Sequence, residues 1–238
     1  MEIGGFFNEP IEFYHGRVPF IITDIVNQIK KVNGQNSDIL FNPECTDDHL
    51  EGMIYEMKSK RITNWSRYTN PATLSVALSF YINSIFQTEP LMTEDTQEFL
   101  LSAKFNDSLL SLKLLRKILI KLYPGRFRTL LYIIEFLSCI NSVSEDSLFR
   151  IFSKPFFGQK SLKLNRVALK EIFQIILHNH ETVFQGAILG DAAFFTDEQV
   201  EILIRKHLNG EKVKTNHIEG NLSPKQITLN ELEQILYG

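Results

Sequence analysis

Of the residue types that could hold a metal or move a proton, the six histidines come first: His15, His49, His178, His180, His207 and His217. Only His178 and His180 are close in sequence, and two positions apart on a helix they point in different directions, so they cannot share one metal from one face. Cys45 and Cys139 form no CxxC or Cys/His grouping of ligand spacing and read as two free thiols. The pair Asp47-Asp48 falls where a helix start favours carboxylates in any case. No glycine-rich phosphate loop, nucleophile elbow or HExxH is present, so neither a cofactor nor a metal site is expected. What remains is a cationic cluster. Lys113, Arg116, Lys117 and Lys121 recur at three- and four-residue spacing, opposite Leu114, Leu115, Ile118, Leu119 and Leu122, with Arg126 and Arg128 following. The cluster reads either as the solvated face of a core helix or as a docking surface for an acidic partner or anionic headgroups.

The elements that must position these residues are helices. Ile21, Ile22, Ile25, Val26, Ile29 and Val32 line one face of a helix over 18–32, with Pro19 suited to its first turn. A turn-rich loop follows, Asn33 to Pro43, tethered by Ile39-Leu40-Phe41. A helix over 47–58 precedes a polar stretch holding the single tryptophan, Trp65. Asn70 and Pro71 then supply N-cap and N1 for a helix carrying Leu74, Ala77, Leu78, Tyr81, Ile82 and Ile85. Further helical runs are expected over 94–104, 107–122, 127–141, 145–153 and 163–184, separated by Pro90, Pro124 and the KPFFG stretch at 154–158. Phe156-Phe157 would mark an interface if that stretch were exposed. Leu74, Leu78, Ile82, Leu130, Ile134 and Leu137 read as core. Capping boxes at Thr196/Gln199 and Thr228/Glu231 suggest two short helices in an annex over 190–238. Strand signals are weak throughout, so the expected class is all-α.

Composition bounds the function classes. With 44% hydrophobic and 22% charged residues among 238, the chain can bury a substantial core, unlike a disordered segment. A formal net charge of -3 leaves no overall positive field to gather nucleic acid, so binding to it is not expected, and binding to an anionic membrane would need a local patch. The opening residues lack the basic and apolar regions of a signal peptide, and no apolar run approaches 18 residues. These features, with the free thiols, suggest a cytoplasmic location.

Read in order, several phrases resemble the RhoGAP domain, the all-helical module that accelerates GTP hydrolysis by Rho, Rac and related small GTPases. The resemblance covers roughly residues 6–184. It opens with FFNEPIEFYHGRVPFIITDIVNQIKKVNG, similar to a phenylalanine-led phrase and a proline-begun helix ending near glycine. NPATLSVALSFYINSIFQTEPLM is similar to the family's helix ending in an apolar-Pro-Glu-Pro-Leu phrase, with Glu89, Pro90 and Leu91 matching. LYPGRFRTLLYIIEFL, SLFRIFSKPFFG and LKEIFQIILHNHETVF resemble the later phrases in order.

The departures concern catalysis. Where the family has a glycine, an apolar pair and the catalytic arginine, this chain has Ser37-Asp38-Ile39-Leu40-Phe41-Asn42, which puts Asn42 at the arginine position. Ser79 and Asn83 stand where the family has lysine and arginine on its central helix, and Ser147 stands for the asparagine of its Asn-Leu-Ala phrase. An arginine finger is worth about 10³–10⁵ in rate, or roughly 4–7 kcal/mol of barrier, through a fixed charge that asparagine lacks. The resemblance therefore implies a protein of small-GTPase signalling that binds a Rho- or Rac-type GTPase without stimulating hydrolysis. Two alternatives stand beside it: an active GTPase activator with a displaced arginine, Arg61 or Arg67, and a scaffold that binds acidic lipid or protein through the basic helix 113–128.

Overall fold

The computed structural model describes residues 11–14, 16–59, 62 and 64–184, and among these the regular elements are all helical. In chain order they are α1 (Phe20–Lys31), α2 (His49–Ser59), α3 (Pro71–Ile85), α4 (Glu94–Ser102), α5 (Leu109–Leu119), α6 (Pro124–Ser138), α7 (Glu145–His178) and α8 (His180–Phe184), with 3₁₀ turns at Ile11–Tyr14, Gly34–Asn36 and Pro43–Cys45. The all-α expectation holds. The annex over 190–238 and its two capping boxes lie outside the described residues.

Local chemistry sets most boundaries. Asn70 accepts from the Ala72 and Thr73 amides at 2.8 and 3.2 Å, and Pro71 occupies N1, where its missing N–H costs nothing. Thr93, Ser108 and Ser144 cap α4, α5 and α7 in the same manner. Glu94-Asp95 and Glu145-Asp146 place carboxylates at the positive ends of α4 and α7. Pro19 is the residue before α1 rather than part of its first turn. Pro124 begins α6 three residues earlier than periodicity alone suggests.

The central element is α3. Its residues Ala72, Leu74, Ala77, Leu78, Tyr81 and Ile82 are all buried, and α1, α2 and α7 pack around it. Tyr81 and Tyr14 share a buried hydroxyl hydrogen bond at 3.0 Å. Burial, with Tyr14 beside it, pushes the Tyr81 phenol far above its ordinary range, so the pair is a neutral bond inside the core.

The KPFFG stretch differs from expectation: it continues a helix instead of separating two. The first run of α7 passes through Pro155 and stops at Gly158, whose φ of 73° and ψ of 157° are non-helical, and Asn165 breaks the element again. Pro155 lies in the last turn before that stop. The carbonyls of Pro155 and Phe156 turn outward and accept from the Leu91 and Met92 amides at 2.9 and 3.0 Å. Gly158 also faces Pro90, whose Cγ would lie 3.4 Å from an added Cβ. Phe156 and Phe157 are buried, the former against the rings of Phe152, Phe157 and Phe173, so they form core rather than an interface.

Candidate functional site

The loop between α1 and α2 is held by backbone and short polar contacts on two sides. The Phe41 amide donates to Ser75 Oγ at 2.7 Å, and Ser75 in turn donates to the Pro71 carbonyl at 2.8 Å within α3. Thr73 donates to Asp47 and accepts from the Asp47 amide, at 2.8 and 3.0 Å. Asn70, already the cap of α3, donates to the Cys45 carbonyl at 3.1 Å. From the other side, Ser142 before α7 donates to the Ser37 carbonyl at 2.9 Å. The loop is thus clasped between the first turn of α3 and the entry to α7.

Phe41 adopts φ of 58°, a left-handed conformation that costs a non-glycine residue about 1–2 kcal/mol. Its ring meets the buried Phe152 ring of α7 edge-on, which offsets that cost. Asn42 is consequently presented just beyond a tightly held residue. Its side chain turns back to the loop, Oδ1 accepting from the Glu44 amide at 3.1 Å and capping the 3₁₀ turn Pro43–Cys45. Residues 37–48 contain Asp38, Glu44, Asp47 and Asp48 and no lysine or arginine. A loop of that charge repels phosphate rather than stabilising it.

Ser79 and Asn83 follow Ser75 at four-residue steps, so all three lie on one stripe of α3. Both side chains fold onto their own helix: Ser79 donates to the Val76 carbonyl and Asn83 to the Ser79 carbonyl, each at 2.8 Å. Short polar side chains in a helix bond backward in this way, whereas lysine or arginine would extend away from it. Ser147 lies in the first turn of α7, its amide bonded to Ser144 Oγ at 3.3 Å and its hydroxyl accepting from Ser144 at 3.0 Å. The structure thereby joins the Asn42 loop to the elements carrying the other three positions.

Of the alternative arginines, Arg61 lies outside the described residues. Arg67 is paired with Glu56 of α2 and lies over the Tyr68 ring, 4.7 Å from its centroid. The hydrogen bond to Glu56 raises the Arg67 pKa further, so the charge is permanent and already engaged. Its loop is pinned by the buried Gln28, which donates to the carbonyls of Trp65 and Tyr68 at 3.1 and 2.7 Å.

The cationic cluster does not survive as one patch. Arg126 is buried, donating to the Pro90 carbonyl at 2.6 Å and to Glu89 at 2.9 Å, and Arg128 donates to the Gly16 carbonyl at 3.1 Å. Arg116 is half-buried, and burial lowers its pKa. Lys113 and Lys121 are exposed and Lys117 is half-exposed. Leu114, expected on the apolar side, is exposed beside the lysines. The reason is angular: a basic residue's outward direction follows from its helix phase, and Arg126 and Arg128 belong to α6, not α5.

His178 and His180 serve different partners, as their spacing requires. His178 Nε2 lies 2.5 Å from Glu145 Oε1, and His180 Nε2 lies 3.3 Å from Ser138 Oγ. Ser75, Thr73 and Ser142 are the positioning residues that sequence reasoning missed. For Thr73 and Ser75 the visible signal was a hydroxyl in an otherwise apolar setting, Ala72 to Val76; Ser142, in a polar run, carried none.

The RhoGAP domain family matches residues 19–172, and the chain belongs to that family. Membership connects the protein to Rho-family GTPases and their signalling. No curated protein matches the sequence significantly. Among the described residues no helix is long and apolar enough to cross a membrane.

Proposed function

We propose that this RhoGAP domain, taken as residues 6–184, binds a Rho- or Rac-type GTPase in the cytosol without accelerating GTP hydrolysis. The observation that carries the reading is the Asn42 loop. At the arginine position stands a neutral side chain committed to a local cap, in a loop with four acids and no base. Stabilising charge on a departing phosphoryl group requires a cation aimed at it, and nothing in residues 37–48 supplies one. Ser79, Asn83 and Ser147 complete the GTPase-facing surface in this reading. Their short side chains, folded onto their own helices, give contact area without charge. Affinity can persist because it is spread over many interface contacts, whereas rate depends on a charge matched to the transition state.

The test is single-turnover GTP hydrolysis by a panel of Rho- and Rac-type GTPases, with binding to their GTP-analogue forms measured in parallel. Binding without acceleration is the expected result. Acceleration abolished by Arg61→Ala or Arg67→Ala would overturn it and establish a relocated finger. Absence of binding across the panel would also overturn it.

A further inference from the structure

The outer side of α5 combines two features that packing does not explain. Leu110 is 78% exposed, Leu109 60% and Leu114 44%, while Leu112, Leu115, Ile118 and Leu119 fill the core on the opposite side. At about 100° per residue, Leu109, Lys113, Lys117, Leu110 and Leu114 fall in that angular order within an arc of about 140°. Two lysines therefore lie among three leucines on one face, and α5 contains no acidic residue. Phe99 of α4, 50% exposed, extends the face: Lys121 Nζ lies 4.7 Å from its ring centroid.

We propose that this face of α5, together with Phe99, is a docking surface for bilayers containing anionic lipid. A fluid acyl and headgroup layer accommodates protruding leucines with lysines among them and needs no preformed complement. The lysines between them sit at headgroup height when the leucines enter, where each contributes about fivefold to binding of anionic lipid. Entry of one exposed leucine contributes roughly tenfold or more. A second copy of the chain fits poorly, because two-fold pairing through this face would bring the lysines of both copies together with no acidic residue on either α5. The surface is made of α5 and α4, whereas the proposed GTPase-facing residues lie on the α1–α2 loop, α3 and the start of α7. Membrane docking and GTPase binding are therefore separate claims.

The experiment is co-sedimentation of the full 238-residue chain with phosphatidylcholine vesicles and with vesicles of phosphatidylcholine and phosphatidylserine. Binding to the anionic vesicles alone is expected, weakening as salt shortens the Debye length from about 10 Å toward 3 Å. Leu110→Ser should reduce affinity roughly tenfold and Lys121→Gln about fivefold. Glu98→Gln, which removes an exposed acid beside Phe99, should tighten it, and Lys163→Gln on α7 should leave it unchanged. The proposal fails if the anionic vesicles capture nothing, if Leu110→Ser has no effect, or if Lys163→Gln weakens binding as much as Lys121→Gln. It fails equally if the lipid-free chain forms a concentration-dependent dimer that Leu110→Ser abolishes, since the face would then belong to a second copy.

Discussion

The ring of Phe41 meets that of Phe152 edge-on, with centroids 5.4 Å apart and planes at 88°. One contact thus ties a strained loop residue to a fully buried position of α7, and it fixes where the next residue, Asn42, is presented. Phe41→Ala removes the ring and keeps the left-handed backbone, so it should lower stability by roughly 1–3 kcal/mol, less than the 3–5 of a fully buried ring. Phe41→Gly loses the same ring but relieves the backbone. Glycine should therefore equal or exceed alanine in Tm, the reverse of its usual rank, as thermal unfolding followed by circular dichroism can show.

Asn42→Arg should convert part of any GTPase affinity into rate. The expected gain in single-turnover hydrolysis is about tenfold, well short of the 10³–10⁵ of a complete finger, because Asp38, Glu44, Asp47 and Asp48 surround the new charge. Adding Ser79→Lys and Asn83→Arg should raise it further. A variant that binds as tightly as the parent and gains no rate would show that this loop does not lie at the phosphates.

Arg126→Ala should destabilise the fold by about 1.5–3 kcal/mol, since it leaves the Pro90 carbonyl without its charged donor. Glu89→Gln should cost less: the Glu89 side chain is 61% exposed, the amide oxygen can still accept from Arg126, and Arg126 keeps its bond to the Pro90 carbonyl. Equal losses in denaturant unfolding of the two variants would contradict this ranking of the two bonds.

The His178 hydrogen bond holds the Glu145 carboxyl below its usual range, against a smaller opposing effect of burial and with help from Gln174. A carboxyl lowered in the folded state contributes stability that is present above the ordinary glutamate value of about 4.3 and is lost as pH falls through the lowered value. Tm should therefore drop on acidification below about pH 4, and Glu145→Gln should flatten that part of the profile. Unchanged acid sensitivity in the variant would remove Glu145 from the account. The pair joins the first turn of α7 to its last, which is possible because Gly158 and Asn165 fold that element back on itself.

How far this was legible from residues alone varied with the range of the interaction. Caps and apolar periodicity are local: Asn70-Pro71 announces α3, and the stripe Leu74, Leu78 and Ile82 announces its buried side. The ordered phrases also announce the family, whose match over 19–172 falls inside the range read from them. Pro155 misled: a proline inside a helix removes one backbone hydrogen bond, yet here the helix runs through it to Gly158, and the carbonyls freed at that stop accept from the Leu91 and Met92 amides of another part of the chain.

The sequence by itself determined the helical class, most helix boundaries, the family and the identity of Asn42, because each rests on side-chain type and spacing within a few turns. Only the tertiary structure decided which charges are free to act. Arg126 is held by Glu89 and Pro90, Arg67 by Glu56, and Asn42 by the turn it caps. Leu109, Leu110 and Leu114 of α5, by contrast, are left outside the core. A charge's availability depends on its distance from partners dozens of residues away, and spacing along a chain carries no record of that distance.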